Sequence, residues 1–340
     1  AAIERADRVL GGEYQAFRDA WRRFPTGEGW HRHPVTGVAR SPDRQWWRRN
    51  LLDPTFGDIK DLWEPARFGW VYDLVRGYLI TRNPRYRAAF VERFADWWAT
   101  NPPMTGPHWS CGQETAIRAI ALLYAEANLD LGDDGRTVID ALGASGERIR
   151  DAIGYALSQR NNHGLSEAVG LLAIGDRLGA RHPEADSWYR IGRRLVDRLV
   201  KEQFAEDGWY CQHSFVYMRL AIDQYIVASQ VLRGRAEEWA PVVVDRLRAA
   251  HDLLGAVVEP ETGAAPNYGP SDGAFVHPIT MGAYRDFRPT LTALAACTGA
   301  AHPAGISQDR EVLAWLGRPE PSAAPETAMP AVRLGSAGWG

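Results

Sequence analysis

The stretch F-V-E-R-F-A-D-W-W-A-T-N-P-P-M-T-G-P, residues 90–107, decides the fold class. Phe90, Phe94, Trp97 and Trp98 recur at three- to four-residue intervals, the spacing of one helix face, and the Pro/Gly-rich segment that follows ends the pattern. The same period of 3.6 returns in Ile117, Ile120 and Tyr124, and again in Trp188, Ile191, Leu195 and Leu199. Short breaks separate such segments: N-P-P-M-T-G-P (101–107), G-A-S-G (143–146), E-D-G (206–208) and E-P-E-T-G (259–263). The pattern predicts antiparallel helical hairpins. No fixed-period repeat of the solenoid kind is visible, so the hairpins are expected to close around a common axis. The expected fold class is all-α, an incomplete (α/α) toroid over residues 1–317.

At Arg318 the character changes. R-P-E-P-S-A-A-P-E-T-A-M-P (318–330) reads as a Pro/Ala-rich linker, and A-V-R-L within 331–340 alternates like a strand. A lone strand is not stable in water, so 331–340 is expected to be the start of a β domain that is cut short.

Composition narrows the function classes. The 39 basic side chains nearly balance the 42 acidic ones, and no block of like charge is present, so nucleic acid is not an expected partner. No apolar run approaches the roughly 20 residues of a bilayer span. The N-terminus A-A-I-E-R-A-D-R lacks the apolar core of a signal peptide. The expected location is periplasmic or secreted if a signal peptide was removed, and cytoplasmic otherwise. Cys111, Cys211 and Cys297 are odd in number and far apart, which excludes a disulfide framework and predicts core thiols. The only lysines, Lys60 and Lys201, do not follow glycine, so a P-loop is excluded. His31 and His33 have no acidic or cysteine partner nearby in sequence, and neither metal nor cofactor is expected. The 14 tryptophans and 12 tyrosines suit sugar stacking and a large helical core equally.

Three polar, aromatic segments interrupt helices. In G-P-H-W-S-C-G-Q-E-T-A-I-R (106–118), Trp109 leads into a helix whose first turns carry Gln113, Glu114 and Arg118. These residues would stack on and grip a sugar, or would form a capped helix with a Glu114–Arg118 pair at i, i+4. In S-Q-R-N-N-H-G-L-S-E-A-V-G-L-L (158–172), Asn161, Asn162 and His163 lie between two helical patterns. That places amides and an imidazole at a helix N-terminus, where unpaired N–H groups favour a carboxylate; the alternative is plain turn chemistry. In D-G-W-Y-C-Q-H-S-F-V-Y-M-R-L-A-I-D (207–223), Ser214 is the expected N-cap, Tyr217 lies in the first turn, and Gln212 and His213 precede it. Tyr217 is either a functional phenol near the helix dipole or a half-buried core residue. The later G-P-S-D-G (269–273) matches a nucleophile elbow only formally, because Pro266 and Pro270 place it in a loop. Tyr268 and Asp272 on that loop either face a ligand or form a turn cluster.

Taken together these segments resemble the helical domain of heparinase II/III-type polysaccharide lyases, a group that includes oligoalginate lyases. The resemblance rests on W-E-P-A-R (63–67), W-S-C-G-Q-E-T-A-I-R (109–118), N-N-H-G-L-S-E (161–167), D-G-W-Y-C-Q-H-S-F-V-Y (207–217), N-Y-G-P-S-D-G-A (267–274) and Y-R-D-F-R-P (284–289), in the family's order. It implies a toroid followed by a β-sandwich, with an acidic polysaccharide or oligosaccharide in the cleft between them. Asn162 matches the position that neutralises the uronate carboxylate, His163 its neighbour, and Tyr217 the catalytic tyrosine. The local order Gln212-His213-Ser214 departs from the family's glutamate before glutamine-serine. A further family histidine, supplied by the β domain, has no counterpart.

The implied reaction is β-elimination. A proton leaves C5, alpha to a carboxylate, and the O4 substituent departs to leave a C4–C5 double bond. Hydrogen bonds from Asn162 and His163 would stabilise the dianion that develops, at about 3 kcal/mol per donor. Tyr217 would serve as acid, base or both in succession, a contribution of roughly 100- to 10,000-fold. A glycoside hydrolase on the same helical fold would instead need two carboxylic acids, drawn from Glu114, Glu167 and Asp272. A non-catalytic saccharide-binding component of an exopolysaccharide system is the third reading.

Overall fold

The computed structural model describes residues 1–48, 53–273 and 275–324. Within these, twelve α-helices carry most of the chain: α1 (Ala2–Leu10), α2 (Ile59–Ala66), α3 (Val71–Thr81), α4 (Pro84–Thr100), α5 (Gly112–Asn128), α6 (Gly135–Ser158), α7 (Asn162–Leu178), α8 (Ala185–Gln203), α9 (Phe215–Gly234), α10 (Pro241–Val257), α11 (Arg288–Thr298) and α12 (Arg310–Leu316). The expected all-α class is the class of the structure. An antiparallel hairpin, β1 (Glu13–Ala16) against β2 (Ala20–Arg23), was not foreseen and is the only sheet among the described residues. The linker beyond residue 324 and the strand expected at 331–340 lie outside the described residues. Pro321 and Ala324, in the described part of the linker, hydrogen-bond to Gln308 and His302 through Pro321 O and Ala324 N.

Helix starts follow local chemistry. Asn83 accepts from the Arg85 amide at 3.1 Å, and Pro84 at the first position of α4 has no N–H to leave unpaired. Asp58 caps α2 and Asp309 caps α12 in the same way. Two compact units divide the chain: 1–156 with 173–189, and 157–172 with the described part of 190–340.

The first unit is built on α3, whose residues Val71 to Gly77 are all buried. An aromatic cluster of Phe68, Trp70, Phe90, Phe94 and Trp97 packs edge-on and offset around α4. The G-A-S-G at 143–146 was expected to break a helix; it lies inside α6 instead. Gly146 is small for packing rather than for turning: a Cβ there would stand 2.3 Å from the Trp188 ring. Cys211 is exposed, which corrects the expectation that all three thiols are core residues.

The second unit centres on α9, which buries 15 of its 20 residues and is therefore apolar nearly all round. Gly192 of α8 approaches α7 so closely that a Cβ would meet the Leu172 amide nitrogen at 2.5 Å and the Ala168 carbonyl at 2.6 Å. Bare backbone contact of this kind sets the middle of α7 directly against α8.

Candidate active site

The second unit gathers Asn162, His163, Gln212, His213, Tyr217, Tyr268 and Asp272. Helix α7 begins at Asn162 because the Asn161 side chain accepts from the His163 amide at 2.9 Å. Gln203 holds Asn161 from behind, its Nε2 donating to the Asn161 carbonyl at 2.8 Å. The Asn162 amide donates to Gln212 Oε1 at 2.9 Å, and the same oxygen accepts from the Tyr210 hydroxyl at 3.2 Å. The amides of Asn162 and His163 are thus satisfied within the protein, contrary to the expectation of unpaired donors there. The Asn162 side chain is buried at 4% exposure, and that of His163 is half-buried. Gln212, expected to bind substrate, spends its carbonyl oxygen on bracing α7.

Helix α9 starts as expected. Ser214 has extended backbone, and its Oγ accepts from the Tyr217 amide at 3.2 Å. Tyr217 stands half-buried on the first turn, and its hydroxyl donates to Asp272 Oδ2 at 3.1 Å. Burial pushes the phenol of Tyr210 well above its ordinary range, and Cys211, Tyr225 and Tyr217 nearby add to the shift. Asn162, Gln212, Tyr210, Tyr217 and Asp272 therefore form one connected neighbourhood. His213 is exposed and in the left-handed region with φ 51°, and its Nδ1 accepts from Trp209 Nε1 at 2.6 Å, which leaves its proton on Nε2. Tyr268 is 42% exposed and lies against Trp209 with ring centroids 6.2 Å apart. The G-P-S-D-G segment is a loop, with no strand before it.

Trp109, Gln113, Glu114 and Arg118 lie in the first unit, all buried. Trp109 is fully enclosed and its Nε1 donates to the Asn101 carbonyl at 3.1 Å. A buried ring offers no face to a sugar, so the stacking expectation gives way to a core role. The Glu114–Arg118 pair does not form as a hydrogen-bonded pair. Glu114 is gripped by Arg67 through both oxygens, at 2.6 and 2.7 Å. Arg118 lies over Trp97, 4.5 Å from the ring centroid, and donates to the carbonyls of His108 and Ala66. Burial pulls the Arg118 guanidinium down to about 9.

Sequence reasoning missed a second polar pair on α9, Arg219 and Asp223. Arg219 sits among Phe275, Tyr284 and Phe287 at 4.5 to 4.6 Å and donates to the Tyr284 carbonyl. Burial raises the Asp223 carboxyl to about 7, against the opposing pull of Arg219. The visible signal was a charged i, i+4 pair inside an otherwise apolar helix.

Comparison with known proteins bears on this arrangement. No family model matches the chain. A heparin-sulfate lyase of Bacteroides thetaiotaomicron is 23% identical over 158 residues, which cover 44% of this chain and 22% of that protein. The crystal structure of heparinase III aligns with a TM-score of 0.55 over 79% of this chain and 40% of that one, at 16% identity. The fold is that of heparinase III. The heparan sulfate lyase HepC of Pedobacter heparinus aligns similarly, with a TM-score of 0.54 over 78% of this chain and 39% of that one, at 18% identity. The resemblance to heparinase-type polysaccharide lyases thus has the support of a sequence match and of the fold. The chain spans about a fifth of the length of the curated heparin-sulfate lyase and about two fifths of the heparinase structures.

Proposed function

We propose that this chain supplies the helical part of a polysaccharide lyase that cleaves a uronate-containing polysaccharide by β-elimination. The observation that carries this reading is the placement of Tyr217 on the first turn of α9, its hydroxyl fixed by Asp272, in the neighbourhood that also holds Asn162. The matched relatives are named for heparin and heparan sulfate, so a glycosaminoglycan of that kind is the first substrate to test.

In the proposed reaction the side chains of Asn162 and His163 face the uronate carboxylate. Charge accumulates on that carboxylate as the C5 proton leaves, and donors already in place stabilise it without reorganising. Tyr217 delivers or accepts the proton that the elimination moves. Exposed Tyr268, beside Trp209, offers an apolar face to a neighbouring sugar. The hydrolase reading is weaker, because Glu114 is locked by Arg67 and Asp272 is engaged with Tyr217.

The test is to incubate the protein with a panel of uronate polymers, heparan sulfate first, and follow the ultraviolet absorbance of the C4–C5 unsaturated uronate. A lyase produces that absorbance, a hydrolase produces new reducing ends without it, and a saccharide-binding module produces neither.

A further inference from the structure

Asp272 is carried by a loop that is held at several points. The Ser214 hydroxyl donates to the Pro270 carbonyl at 2.7 Å. Gly269 has φ +80° and presses against the chain before α9, where a Cβ would stand 2.0 Å from the His213 carbonyl. Arg285 donates to Asn267 Oδ1 at 2.8 Å and to the Ala265 carbonyl at 3.1 Å. The Asp272 carboxylate is therefore brought to the Tyr217 hydroxyl by built contacts rather than by a chance meeting of surface groups.

We propose that Asp272 is the positioning residue for Tyr217, holding its oxygen at the site and keeping its proton on the phenol in the resting state, from which the O–H turns to the leaving oxygen, so that Tyr217 enters the elimination as the acid. This rests on the lyase reading above and assigns Asp272 a role other than binding sugar. The Tyr217 hydroxyl is the donor and the Asp272 carboxylate the acceptor, so the shared proton sits on the tyrosine oxygen. A phenolate would face the negative carboxylate at contact distance, which disfavours the ionised resting form a base requires. The positive end of α9 pulls the opposite way on Tyr217, and the phenol of Tyr210 also lies nearby.

The step balances as follows. The Tyr217 O–H bond breaks and its proton passes to O4, which keeps the electron pair of the breaking C4–O4 bond. The C5–H pair becomes the C4–C5 π bond, and the C5 proton passes to one ring nitrogen of a neutral His163 imidazole whose other nitrogen donates to the carboxylate. Return of that proton to the Tyr217 phenolate restores the resting state.

The test is an NMR pH titration of tyrosine labelled with 13C at Cζ, the Tyr217 signal being assigned by its loss in Tyr217→Phe. In Asp272→Asn, which keeps the shape and removes the charge, the Tyr217 midpoint should fall by about one pH unit. On the active protein the alkaline limb of the pH–rate profile should fall with it, while kcat drops at least about tenfold and KM changes little. If Asp272→Asn does not fold, the wild-type midpoint decides: above about 10 supports the pairing, and at or below it overturns the pairing. An unmoved midpoint with normal turnover overturns this proposal and leaves the lyase reading intact. A shifted midpoint with no turnover of any uronate polymer keeps the pairing but overturns the acid role together with the lyase reading.

Discussion

The Ser214 hydroxyl donates to the Pro270 carbonyl at 2.7 Å while its oxygen accepts from the Tyr217 amide at 3.2 Å. One side chain thus caps α9 and fastens the loop that carries Asp272. Ser214→Ala loses both bonds and should destabilise the protein by about 1–2 kcal/mol, read from urea melts. Ser214→Asp restores the cap but has no proton for Pro270. It should recover much of the stability without recovering the activity lost with the loop, and equal recovery of both would show that the tether is irrelevant.

Arg67 and Glu114 form a buried bidentate pair 47 residues apart in sequence. Removing one partner leaves the other charged and buried, so Arg67→Ala should cost about 3–5 kcal/mol. Arg67 also pairs Glu64 at 2.8 Å, so replacing Arg67, Glu114 and Glu64 together, by Met, Leu and Gln, should recover most of that loss, and Arg67→Met with Glu114→Leu only part of it. Thermal melts of the single, double and triple variants check it. If Glu114→Gln changes KM and leaves the melt untouched, Glu114 touches substrate after all and the structural assignment is wrong.

Asp223 gives a pH signature. Its folded-state carboxyl lies near 7, above the 3.8 of an exposed aspartate. A raised carboxyl binds its proton more tightly in the folded state, so the stability it contributes is fully present below about pH 4 and is lost as pH rises toward 7. The slope in that window is up to about 1.4 kcal/mol per pH unit. Asp223→Asn keeps the neutral form at every pH. Its stability relative to wild type should therefore rise between pH 4 and 7 and level off above, and a flat difference would show that Asp223 is not held protonated.

How much of this was legible follows the range of each interaction. The start of α9 was readable because its cap is local: Ser214 directly precedes Phe215. The start of α7 was read only approximately, since Asn162 and His163 were expected between two helices and instead form its first turn, capped by Asn161. The Glu114 assignment was not readable, since an i, i+4 arginine was in view whereas its true partner, Arg67, arrives from another helix boundary. Glycine was ambiguous for a similar reason. Gly208 sits in a turn with φ +85° as expected, but Gly146 reads the same in sequence while serving contact with Trp188 inside α6. Trp109 shows the limit of composition: aromatic enrichment does not tell a ring that stacks on sugar from one that fills a core.

The central claim rests on one hydroxyl. Tyr217→Phe removes it and keeps the ring packing, so the direct measurement is initial rate and melting temperature on the same preparation. The assay should use heparan sulfate and the longest form of the protein that its gene encodes. The account predicts a rate lower by at least about a hundredfold with the melt nearly unchanged. Near-normal formation of the unsaturated uronate by Tyr217→Phe, with a lowered melt, would contradict it.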